Sequence, residues 1–274
     1  MRRKEWLHHG LLRVKLRFFS QVTIGIFFFF CIFVMYTVFG FLEWGNLQML
    51  SVTSCILYLT TQFSSYFLLY APCMIILLSG LNELGAFELL IYARFTSRKE
   101  YDLGCILAIF LFVLLCVIGS VSAAGVVYCF ASNPEADWHL YCEYLRRRGI
   151  YLVSEGIAQL PEVFVVFAQL TMYTLSFYAI GLLLLFLRNL FQKTFLVLIT
   201  GLGTNFLLLL ALKNDLPGWL FYILPYSHLF LPYLDSLSDF FNAVIYWLCV
   251  IVCLHLAVWL SSRFCDRGLT DYEK

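Results

Sequence analysis

The sequence predicts an all-α, polytopic membrane protein: six transmembrane helices, an interfacial helix at the N-terminus and a proline-broken hairpin before the last span. Three observations carry this. Six stretches, 22–41, 55–81, 103–130, 163–187, 195–212 and 240–261, contain no Asp, Glu, Lys or Arg, and each approaches or exceeds the ~20 residues that cross a hydrocarbon core. Hydrophobic residues make up 62% of the 274-residue chain and charged residues 13%, which leaves no material for a separate soluble domain, so residues 1–274 read as one membrane domain. Fourteen of the eighteen Lys and Arg fall on one side of the six stretches, which by the positive-inside rule puts both termini in the cytoplasm of a multi-pass plasma-membrane protein. Helices are required over the apolar runs, because lipid offers the backbone no hydrogen-bonding partner and a barrel would alternate in polarity.

Residues 1–20 place Leu7, Leu11, Val14 and Phe18 on one helical stripe, with Lys4, His8, Lys15 and Arg17 turned elsewhere. This is an amphipathic helix for the inner interface, serving as a topology anchor, as an elbow that slides when the bundle changes state, or as both. The arm is long and basic and no small-residue cleavage site follows the first apolar run, so it reads as an anchor and not as a leader. Residues 82–102, NELGAFELLIYARFTSRKEYD, mix apolar Leu89, Leu90 and Ile91 with charges of both signs. They predict a short cytoplasmic helix that rests on lipid or docks on a partner.

Residues 131–162 form the longest outer loop, with Arg146, Arg147 and Arg148 as a solvated, partly paired face, and Pro161 suits the first turn of span four. Residues 213–239 carry Pro217, Pro225 and Pro232. Prolines at that density forbid a continuous span and predict short broken helices dipping into the outer leaflet. Trp219, Pro225, Tyr226 and His228 are the residues expected to cap a pathway there.

Seven of the ten cysteines, Cys31, Cys55, Cys73, Cys105, Cys116, Cys249 and Cys253, lie in spans and read as small apolar packing groups. Cys129 and Cys142 fall at or beyond the outer face, where they either bridge or remain free thiols. Several chemistries lack their residues. Gly201-Leu202-Gly203-Thr204 is followed by no lysine and reads as helix packing. The five histidines have no metal-ligand spacing, and His255 is expected to hydrogen-bond a neighbouring helix. There is no nucleophile elbow, and the basic residues are topology determinants, not a nucleic-acid patch. The spans hold no carboxylate or cation of the kind ion-coupled carriers place at mid-membrane, so energy for any transport would come from another polypeptide.

With those features the chain resembles a permease subunit of the ABC-2 family of ATP-binding-cassette exporters. Arg94, Ser97, Arg98 and Lys99 in ARFTSRKEYDLGCIL are similar to a basic stretch that many members carry before span three, and LPGWLFYILPYSHL is similar to their proline-aromatic segment before span six. The resemblance implies a homo- or heterodimer of permeases with a pair of ATP-binding subunits. ATP and Mg would then be held by the partner, with no cofactor on this chain. It also implies a coupling helix over 83–99, with Leu89 and Leu90 as apolar anchors and Glu83, Glu88, Arg94, Arg98 and Lys99 as charged contacts. The expected activity is export of a peptide or amphiphile. The competing class is a membrane scaffold or a lipid-modifying enzyme using Glu155, Glu162, Asp235 and His228 near the outer interface.

Overall fold

The computed structural model describes residues 5–43, 51–61, 65–81, 98–130, 143, 146, 156, 159–191, 193–213, 224–229 and 236–272. All regular structure among them is helical. In chain order the α-helices are α1 (Glu5–Phe18), α2 (Gln21–Glu43), α3 (Val52–Thr61), α4 (Ala71–Leu81), α5 (Arg98–Cys129), α6 (Glu162–Phe191), α7 (Thr194–Lys213) and α8 (Leu237–Tyr272). A π-helical turn, Tyr66–Tyr70, leads into α4, and a 3-10 turn, Pro225–His228, precedes α8.

Four of these helices are long and apolar enough to cross a membrane: Lys99–Cys129, Glu162–Phe191, Thr194–Ala211 and Leu237–Ser262. A fifth span results if α1 and α2, bent by 57° at Phe19–Ser20, are taken as one crossing. Ser20 makes that bend: its hydroxyl receives the Thr23 N–H and its carbonyl the Ile24 N–H, which is how an N-cap starts a helix in a new direction.

The second predicted stretch, 55–81, departs from a straight span. Among its described residues, 55–61 belong to α3 and 66–81 to a helix that opens on the π-helical turn. The π-turn is explained by Pro72, which has no N–H and whose ring crowds the preceding turn. The chain answers with a widened turn, in which the Ala71 N–H reaches back five residues to the Tyr66 carbonyl.

α6 is the central helix, packed along α8 and against α3, α4, α5 and α7. Its approach to α5 depends on Gly181, where a Cβ would lie 2.3 Å from Ile109 Cγ2. α6 starts as Pro161 predicts, with the Phe164 and Val165 N–H groups bonded to the Pro161 carbonyl. α8 opens on a Ser236–Asp239 capping pair and stays helical to Tyr272, past the predicted span end at 261. α7 is peripheral, with Phe195, Ile199, Phe206 and Leu207 exposed.

Candidate functional site

The polar side chains gather at one end of the bundle, where α1 meets the end of α4, the start of α5, the end of α6 and the end of the apolar part of α8. α1 lies along α5 and crosses it at two glycines: a Cβ on Gly10 would lie 3.0 Å from the Gly104 carbonyl, and one on Gly104 2.5 Å from His9 Nδ1. With both positions bare, the face of α1 turned inward carries His9, Gly10, Arg13 and Val14. Of the predicted apolar stripe, Leu7 and Leu11 are exposed and Val14 is buried, while Arg13, about 100° round the helix from Val14, is 0% exposed. The apolar stripe identified one face of α1, and the close glycine crossing selected a neighbouring one for packing.

Arg13 divides its guanidinium among three elements. Nε donates to His9 Nε2 at 2.9 Å within α1, Nη1 to the Leu81 carbonyl at 2.9 Å at the end of α4, and Nη2 to the Tyr101 hydroxyl on α5. Arg17, one turn on, donates to the Leu77 and Ile76 carbonyls at 3.1 and 3.0 Å. Two cations thus cover the last carbonyls of α4, where the helix dipole is negative. Gly80 leaves room for the second, since its Cβ would lie 2.4 Å from Arg17 Nη2. Burial pulls the Arg17 guanidinium below its usual range. Burial, then Arg13 and Arg188, hold the His9 imidazole at about 3, so it is neutral and accepts the Arg13 bond.

Tyr101 is the hub. Arg188 of α6 donates to its hydroxyl at 3.3 Å, and the guanidinium carbons of Arg13 and Arg188 lie 5.0 and 5.9 Å from its ring centre. Next to it Asp102, 2% exposed, accepts from Asn189 of α6 at 3.4 Å and from the Ser262 hydroxyl of α8, while Asn189 also donates to Ser261 at 3.1 Å. Residues 98–102, expected to belong to the cytoplasmic loop, are the first turn of α5, and Asp102 is interior. Arg13 lies within α1 and Asp102 in the first turns of α5, both outside the charge-free runs 22–41 and 103–130 that the sequence marks as spans.

Of the coupling residues, Glu83, Glu88, Leu89, Leu90 and Arg94 lie outside the described residues. Arg98 opens α5, and the Lys99 ammonium lies 5.6 Å from the Trp259 ring centre on α8. Cys129 is exposed at the end of α5, and Cys142 lies outside the described residues. Cys105 and Cys116 are buried as packing groups, but Cys249 and Cys253 face outward and do not pack within the chain. His255 bonds Tyr178 at 3.1 Å across α6 and α8, as expected.

At the opposite end the Pro225–His228 turn is pinned from two sides. Trp247 of α8 donates to the His228 carbonyl at 2.9 Å, Gln169 of α6 to the Leu229 carbonyl at 3.1 Å, and the His228 ring stacks on Tyr246 at 4.1 Å. Beneath the turn is a cavity of about 240 Å³, walled by the π-helical turn, α4, α6, α7 and α8 and roofed in part by Pro225 and Leu229. Pro225 is one of the residues that line this cavity. His228 takes part through its carbonyl and ring, Tyr226 belongs to the same turn, and Trp219 lies outside the described residues.

The residues proposed for a lipid-modifying enzyme are engaged separately: Glu162 accepts from Ser51 and His228 stacks on Tyr246, while Glu155 and Asp235 lie outside the described residues. Among the described residues no three His, Cys, Asp or Glu are grouped to hold a metal. Sequence reading missed two features. The Arg13–Tyr101 hub has no sequence signal, because its members are 88 residues apart. The break before α4 did have one, Pro72 within an apolar run.

Comparison of the chain with protein-family models, with curated proteins and with solved structures finds no match. What the fold and site define is the class: an all-helical protein with four or five apolar helices of membrane-spanning length, tied together at one end by a buried polar network.

Proposed function

We propose that the chain is the transmembrane subunit of an ATP-driven exporter of the ABC-2 type, working as a homo- or heterodimer with a separate ATP-binding subunit. In this reading it has six spans, both termini lie in the cytoplasm of a plasma-membrane protein, and α1 is the interfacial helix. A peptide or amphiphile is moved outward.

One observation carries the reading. The first turns of α5, which follow residues 83–97 in the sequence, are bonded through Tyr101 and Asp102 to α1, α6 and α8. A push that a motor protein delivers to the start of α5 would reach three further helices through these bonds. Predicted spans without Asp, Glu, Lys or Arg lack the groups that ion-coupled carriers use, so in this reading the energy arrives by such a mechanical route. Leu89 and Leu90 serve as anchors in the motor's groove, and Arg94, Arg98 and Lys99 fix the register.

The test is co-purification from native membranes followed by ATP turnover. Wild-type protein brings down an ATP-binding subunit. Leu89→Asp and the pair Arg94→Glu with Arg98→Glu lose it, and Tyr101→Phe keeps it while turnover no longer responds to the permease. Unchanged association and turnover in all of these, with normal membrane insertion, overturns the proposal in favour of a scaffold or lipid enzyme.

A further inference from the structure

The cavity under the Pro225–His228 turn has a chemistry of its own, and the inference from it stands apart from the exporter reading. Its floor is built by the proline break. In the five-residue register that the Ala71 N–H sets with Tyr66, the next pair would be Pro72 with the Phe67 carbonyl, and proline has no N–H to give. Asn205 of α7 donates to that carbonyl at 2.8 Å. This fixes the Asn205 amide at the cavity wall and leaves its carbonyl oxygen and second N–H for an occupant. Across the cavity Tyr66 and Ser176 share a hydrogen bond.

Apart from Thr204, whose hydroxyl donates to the Thr200 carbonyl at 2.8 Å, the rest of the described lining is apolar, with Ile75, Ile180, Leu183, Leu208 and Leu254 among it, and it includes no Asp, Glu, Lys, Arg or His. An ionised group would enter with no counter-charge in a low-dielectric wall, which is strongly unfavourable. An apolar cavity of about 150 Å³ holds a six-carbon ring. By the same scale the volume of about 240 Å³ holds about ten non-hydrogen atoms, which is one chain end and not a folded peptide or a two-chain lipid.

We propose that this cavity binds the uncharged end of a single-chain amphiphile, an aliphatic or isoprenoid alcohol, with the hydroxyl at Asn205 and Ser176 and the chain between α6, α7 and α8. A hydroxyl fits because it both donates to the Asn205 oxygen and accepts from an N–H, which neither a hydrocarbon nor an ester can do.

The experiment uses the full chain in lipid nanodiscs with a diazirine-bearing decan-1-ol, photolabelled sites being mapped by mass spectrometry. Labelling is expected at Ile180, Leu183 and Leu208, and decan-1-ol should compete at least about tenfold better than decanoate, decyltrimethylammonium or decane at equal bilayer content. Ala179→Phe, which fills the cavity from α6, should remove that labelling, while Gly203→Ala, whose Cβ meets nothing within 4 Å, should leave it. If Ala179→Phe does not fold, the wild-type competition decides alone. Equal competition by the charged or hydrocarbon probes overturns the proposal. So does labelling confined to outward-facing Phe206 and Leu207, which is bulk lipid partitioning.

Discussion

Replacing Arg13 by methionine keeps an unbranched apolar stem in the same space and removes only the guanidinium. The loss is three hydrogen bonds, to His9, Leu81 and Tyr101, and two of them join α1 to other helices. Side-chain hydrogen bonds in membrane proteins contribute about 0.6 kcal/mol on average and up to about 1.7. The two that join α1 to α4 and α5 are thus worth about 1–3.5 kcal/mol for holding α1 on the bundle. The Leu81 carbonyl and Tyr101 hydroxyl also stay in a site closed to water, which favours the upper half of that range. At about 1.4 kcal/mol per factor of ten, the docked-to-undocked ratio falls about 30-fold or more.

The assay is thiol labelling at Val14→Cys, a position 7% exposed in the docked helix, with native cysteines resolved by peptide mapping. Combining it with Arg13→Met should raise the labelling rate at residue 14 about 30-fold or more, leaving Cys105 and Cys116 in the core unlabelled. Arg13→Lys, a point donor in place of a fork, should fall between. A rate within about threefold of the Val14→Cys protein, with Arg13→Met inserted and folded, would show that the glycine crossing alone holds α1 and that the network is incidental.

Two other outcomes use the same labelling. Gly104→Ala places a Cβ 2.5 Å from His9 Nδ1 and 3.1 Å from the Trp6 carbonyl, so it should loosen α1, whereas Gly203→Ala on the open side of α7 should change neither labelling nor thermal stability. Lowering pH should release α1, because His9 binds a proton near 6.5 when undocked and only near 3 when docked. Its contribution is present above about 6.5 and is lost as pH falls towards 3, since the undocked state then holds more protons. His9→Phe should flatten that profile, and an unchanged profile would assign the effect elsewhere.

The sequence by itself determined the class. Apolar runs of eighteen or more residues leave the backbone only one satisfied conformation in lipid, so helices at 22–41, 103–130, 163–187, 195–212 and 240–261 were legible from composition. Local chemistry was legible too: Pro161 starts α6, and Pro225 sits in the turn that roofs the cavity. Pro72 carried its break in plain sight within the 55–81 run.

Only the tertiary structure decided which face of α1 is buried, because a leucine stripe is equally suited to lipid and to protein. Two glycines on different helices brought Arg13 inward instead. It also decided the role of Asp102, which reads as a loop carboxylate until α6 and α8 bring Asn189 and Ser262 to it. Hydrophobic periodicity encodes how each helix meets an apolar solvent. It does not encode which helices meet one another, and a polar network among residues 88 and 160 positions apart exists only once they do.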